Sequence, residues 1–131
     1  MYYYREIKLK NGFILSCDML RITFKLTPDS INDMFAYFNN LNLIDSKYEF
    51  KHFYNISPFK YRNLFNFTNK DIGASFVVGL GFNGSDHLEK LSCFIEFNPN
   101  KCFVNNYVVP VLKRILTTAK YYEISRVGTL P

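Results

Sequence analysis

Apolar and polar positions alternate with two different periods along this chain, and the switches between them divide it into elements. From Tyr4 to Lys10 the alternation is strand-like and runs into Asn11-Gly12. That dipeptide accepts positive φ at both central turn positions, so a β-hairpin into Phe13–Ser16 is predicted. Leu20, Ile22, Phe24 and Leu26 then alternate with Arg21, Thr23 and Lys25, the pattern of a half-buried strand with a basic outer face. Thr27-Pro28 follows, a hydroxyl N-cap and a proline at the first helical position. Behind it Ile31, Met34, Phe35, Phe38 and Leu41 recur at helical spacing, giving a helix expected to fray around Asn39-Asn40.

Strand periodicity returns over Tyr48–Tyr54, with Tyr48, Phe50, His52 and Tyr54 on one face. Ser57-Pro58 breaks it, and Tyr61–Phe67 is its expected neighbour. Ala74–Phe82 is the most apolar strand, closed by the turn residues Asn83-Gly84-Ser85-Asp86. Leu91, Cys93, Ile95 and Phe97 share one face of the next strand, which Asn98-Pro99 ends because proline cannot donate to a ladder. Asn105 or Asn106 is the expected cap of a second helix carrying Val108, Leu112, Ile115, Leu116 and Ala119, and a last strand covers Tyr122–Val127. Strands joined by short turns, with two helices in need of an apolar face to cover, predict an α+β fold. Its sheet is mainly antiparallel, and both helices pack on one face.

Composition agrees. With 131 residues, 48% hydrophobic and 21% charged, the chain suits one globular domain spanning residues 1–131. The core must be built largely of rings, since there are 14 Phe and 10 Tyr. Abundant Asn, Lys, Ile, Phe and Tyr with little Ala is also the bias of an AT-rich coding genome. The three cysteines, Cys17, Cys93 and Cys102, are odd in number and form no C-x-x-C pair, which points to a reduced, cytoplasmic protein. The N-terminus has no apolar signal region, and no apolar run reaches the ~18 residues of a membrane span. The net charge is +5, which favours polyanionic partners through counterion release.

Several familiar patterns fail on context. Gly79-Leu80-Gly81-Phe82-Asn83-Gly84 fits G-x-G-x-x-G, but a strand follows it where a nucleotide site needs a helix N-terminus. Consecutive Ser85-Asp86-His87 cannot align as nucleophile, base and orienting acid. His52 and His87 stand in separate segments and do not make a zinc site. The basic and aromatic residues from Tyr48 to Arg62 are a better candidate. Exposed rings, Tyr54 and Tyr61 first, beside Lys60 and Arg62 would stack bases and hold phosphates of single-stranded DNA. Arg21 with Lys25, and Lys113 with Arg114, are further candidates for phosphate contacts. Glu96, opposite in facing to Ile95 and Phe97, is a candidate ligand for a hard divalent cation.

Two runs, Ile95-Glu96-Phe97-Asn98-Pro99-Asn100-Lys101 and Tyr122-Glu123-Ile124-Ser125-Arg126-Val127, resemble segments of rolling-circle plasmid replication initiators of the clostridial type. Asp18-Met19-Leu20-Arg21-Ile22-Thr23-Phe24 resembles the opening strand of the same domain, and Val108–Lys120 its linking helix. The resemblance implies the N-terminal part of a longer, bacterial, origin-binding protein. Nickase members of that family cut one strand with a tyrosine and a divalent metal. After a strand like Ile124–Val127 the family continues Asp-x-Ala, where this chain has Gly128-Thr129-Leu130, and none of its ten tyrosines sits in a matching motif. The expectation is therefore a DNA-binding fragment that recognises origin DNA without nicking by itself, with no cofactor. Its DNA-binding cations would be Arg21, Lys25, Lys60, Arg62, Lys101 and Arg126. The alternative is a protein-interaction module that docks on or regulates a full-length initiator. In either case the last strand offers an edge through which two copies could form a homodimer.

Overall fold

The computed structural model describes residues 5–8, 14–17, 19–56, 61–82, 91–102 and 106–128. The expected turns at Asn11-Gly12, Ser57-Pro58 and Asn83–Asp86, the Ser85-Asp86-His87 run, Lys60 and Asn105 lie outside them. Strands β1 (Arg5–Lys8) and β2 (Ile14–Cys17) pair antiparallel as a separate two-stranded sheet. The main sheet holds β3 (Met19–Leu26), β4 (Glu49–Ile56), β5 (Tyr61–Asn69), β6 (Ala74–Phe82), β7 (Leu91–Phe97) and β8 (Tyr121–Gly128). Its six strands run in the order β4-β5-β6-β7-β3-β8, and every neighbouring pair is antiparallel. Helices α1 (Pro28–Ile44) and α3 (Val109–Thr118) join it, with the single turn α2 (Pro99–Cys102) between β7 and α3. The α+β architecture with an antiparallel sheet is the one expected from the periodicities.

Side chains alternate across a strand, so register decides what each face contains. One face collects Phe24, Phe65, Phe67, Phe76, Val78 and Ile95, all buried. Met34, Phe38 and Leu41 of α1 and Val111 and Ile115 of α3 belong to the same buried cluster, so both long helices cover this one face. Rings fill it. Phe67 stacks on Phe76 at 4.8 Å, and Phe38 stands 5.8 and 5.9 Å from Phe65 and Phe67. Each buried ring contributes about 1.5–3 kcal/mol through the water it leaves, with offset or edge contacts adding ~0.5–1.5 kcal/mol per pair.

Local signals set the helix ends, with two departures. Thr27 caps α1 as expected, its hydroxyl accepting from the Ser30 amide at 3.2 Å. The helix does not fray at Asn39-Asn40 but runs on to Ile44, because Leu41 is buried and Asn40 Nδ2 finds the Ala36 carbonyl at 2.8 Å. Helix α3 starts later than an Asn105 or Asn106 cap would place it. Asn106 instead takes a left-handed φ of 54°, which Asn tolerates, and Pro110 occupies the first turn. Among the described residues, no helix is long and apolar enough to cross a membrane.

Tyr107, just before α3, is buried and stacks on Tyr48 at 4.9 Å, while Tyr48 Oη donates to the Tyr107 carbonyl at 2.8 Å. This joins the segment before β4 to the segment before α3. Burial, then neighbouring Tyr37 and Asp45, pushes the Tyr48 phenol from 10.0 up to about 12. Burial also raises Tyr107. It lifts Cys93 from 9.0 to about 12, and Cys102 to about 11.

In all four groups the folded state holds its proton more tightly than the unfolded chain. Above pH 9 the unfolded chain releases those protons first, so their stabilisation is complete below that pH and is lost as pH rises toward 12. Urea-unfolding midpoints are expected to be flat from about pH 7 to 9 and to fall steeply above that range. A midpoint that holds to pH 11 contradicts the burial of these groups.

Candidate nucleic-acid interface

The second face of the sheet carries the polar positions of the same strands. Arg21, Thr23 and Lys25 of β3 face it, as do Ser92, Phe94 and Glu96 of β7. Cross-strand register sets Arg21 opposite Glu96 on one side and opposite Arg126 of β8 on the other. Arg21 Nε donates to Glu96 Oε2 at 2.6 Å, with the two side chains 34% and 25% exposed. The Arg21 guanidinium also lies 4.3 Å from the centre of the Phe94 ring, which is itself buried on this face. Phe94 and Leu64 are both cross-strand partners of Gly79, so an apolar row without a central side chain underlies the charged group.

A β-bulge determines where Arg126 points. The β3–β8 register shifts between Arg21 and Ile22, leaving Ser125 as the extra residue. Its Oγ accepts from Thr23 Oγ1 at 2.7 Å and donates to the Arg21 carbonyl at 3.4 Å. The bulge resets the alternation, so Tyr121, Glu123 and Arg126 share the second face with Arg21, Thr23 and Lys25. Tyr121 Oη donates to Glu123 at 2.9 Å, and that hydrogen bond raises the pKa of the exposed phenol. Neither Lys25 nor Arg126 has an ion pair among the described residues.

Lys101, exposed on α2, lines a cavity of about 340 Å³ together with Glu96, Ser75 and Val77. The structure thus groups Arg21, Arg126 and Lys101 near Glu96 on one face of the sheet, with Lys25 on the same face four residues further along β3. It places other candidates elsewhere. Lys113 and Arg114 are exposed on α3, which covers the opposite face, and Arg114 lies 5.2 Å from the Tyr37 ring. Tyr54 is exposed on the helix-covered face of β4. His52 stacks on Phe65 at 4.5 Å and bonds Asn63 at 2.8 Å. Arg62 and Tyr61 lie in β5, their side chains outside the described set.

Glu96, the candidate metal ligand, is engaged by a guanidinium. Among the described residues no group of three or more His, Cys, Asp or Glu stands close enough to hold an ion. The sequence analysis missed Phe94 and Tyr121 as parts of this surface. Phe94 had a signal, since it alternates with Cys93 and Ile95, but its contact with Arg21 depends on a pairing between distant segments.

The Arg21–Glu96 pair is half-exposed, so its coupling should be modest, about 1 kcal/mol. A double-mutant cycle of R21A and E96A by urea unfolding checks this, and a coupling indistinguishable from zero contradicts the geometry. No protein-family model, curated protein or solved structure matches this chain.

Proposed function

We propose that this chain binds DNA across the second face of its sheet, as the origin-recognising part of a cytoplasmic plasmid replication initiator, without cutting the strand by itself. The observation that carries the reading is the grouping of cations on β3 and β8. Arg21 and Arg126 are cross-strand partners, and Lys25 shares their face. Like charges directly opposite one another cost stability. Glu96 pairs with Arg21, while Arg126 and Lys25 make no ion pair among the described residues, so the cations outnumber the carboxylates Glu96 and Glu123 on this face beside exposed Tyr121. A polyanion relieves that repulsion and gains counterion release.

The chemistry of these groups suits positioning on phosphates more than reading of bases. Arg21 is held by Glu96 and Phe94 and so presents a fixed guanidinium edge. Lys25 and Lys101 are flexible point charges at the margin. Tyr121 supplies an exposed ring on which an unpaired base can stack. Binding without cleavage is part of the proposal because Gly128 stands where the resembled initiators carry an acidic residue.

Fluorescence anisotropy with labelled duplex and single-stranded oligonucleotides tests the reading. Binding is expected with Kd around 10⁻⁴–10⁻⁶ M near physiological salt, weakening as salt rises. The double variant K25E/K101E should bind at least about tenfold more weakly with a shallower salt dependence, whereas K113E/R114E on the helix side should change little. Absence of binding at low salt, or an equal loss in both variants, overturns it.

A further inference from the structure

Strand β8 is the outermost strand of the six-stranded sheet and, among the described residues, pairs with β3 alone. Every residue from Tyr121 to Val127 is exposed. On the helix-covered face its partners Phe24 and Ile22 are buried, yet Tyr122, Ile124 and Val127 beside them are 53%, 62% and 41% exposed. The result is an eight-residue edge with an apolar side and, among the described residues, no strand partner beyond β3, a template for another strand.

Its side chains indicate which strand. Glu123 and Arg126 have opposite charge and, because the bulge at Ser125 resets the alternation, lie on the same face. We propose that β8 pairs antiparallel with β8 of a second copy, about a twofold axis between Ile124 and Ser125. In that register Glu123 faces Arg126 of the partner subunit, and Arg126 faces Glu123 of the partner subunit. Tyr122 lies against Val127 of the partner subunit, and the two Ile124 side chains flank the axis. A twofold contact needs this self-complementarity, in which residue i meets j and j meets i. A parallel, in-register pair would instead set Glu123 against Glu123 and Arg126 against Arg126, which is unfavourable. Without the bulge the two charges, three residues apart, would lie on opposite faces and could not meet in this way.

This pairing stands independently of DNA binding. It engages Arg126 with a carboxylate and leaves Arg21, Lys25 and Lys101 of each copy on one continuous sheet surface, so the binding variant K25E/K101E should remain dimeric.

Sedimentation equilibrium across the micromolar range is the test. The native chain is expected as a dimer. E123R and R126E each place like charges opposite one another and should raise the dimer dissociation constant by about tenfold or more. The charge-swapped double variant E123R/R126E should restore the dimer. Circular dichroism establishes that each variant is folded. Hydrogen exchange of the native chain provides a readout free of substitutions, in which β8 amides lose protection on dilution while β6 amides keep theirs. A native chain that is monomeric throughout, single variants that dimerise normally, a folded double variant that stays monomeric, or β8 protection independent of concentration each overturn the proposal. A different protein strand occupying this edge would give the first of these results.

Discussion

Successive side chains of a strand point to opposite faces, and here the strands of the main sheet turn most of their buried rings to the same one. Register enforces this across the sheet: Phe67, Phe76 and Phe97 are successive cross-strand partners, as are Phe65, Val78 and Ile95. Slipping any strand by one residue would turn a row of rings into water and bring Arg21, Glu96 or Asn66 against the helices. The ring-filled layer beneath α1 and α3 thus fixes the fold and, by exclusion, the composition of the opposite face. What that face can bind follows from which side chains the core did not need.

Two local devices shape the face further. The Arg21–Glu96 pair rests on Phe94, so one guanidinium is held in place by a carboxylate and a ring. The extra residue Ser125 ties β8 back to Thr23 and to the Arg21 carbonyl, and by resetting the alternation it moves Arg126 onto the face that Arg21 and Lys25 occupy. The same irregularity makes β8 self-complementary. One inserted residue therefore links the surface proposed for nucleic acid to the edge proposed for a second copy.

Much of this was legible in the sequence where the signal is local. Alternation marked β3 and β7, a run of apolar residues marked β6, and Thr27-Pro28 marked the start of α1. The positions of Met34, Phe38 and Leu41 gave its buried stripe. Asn105-Asn106 reads as a helix cap, yet α3 begins later, with Pro110 in its first turn. Helix α1 runs past Asn39 and Asn40 because tertiary burial of Leu41 outweighs their poor helix propensity. What periodicity cannot reveal is pairing between distant segments. Arg21 and Glu96 are 75 residues apart, and Thr23 and Ser125 are 102 apart. The candidate cations were thus readable one by one, whereas their convergence, the shelter of Phe94 and the bulge at Ser125 required the sheet order.

The central proposal is that the face opposite α1 and α3 is the one that meets nucleic acid. Two-dimensional amide NMR of the chain titrated with a short single-stranded oligonucleotide tests it most directly. The account predicts shift changes concentrated at Arg21, Thr23, Lys25, Phe94 and Tyr121, with little change at Lys113 and Arg114 on α3. Changes centred on α1 and α3, with β3 and β8 unmoved, would contradict it.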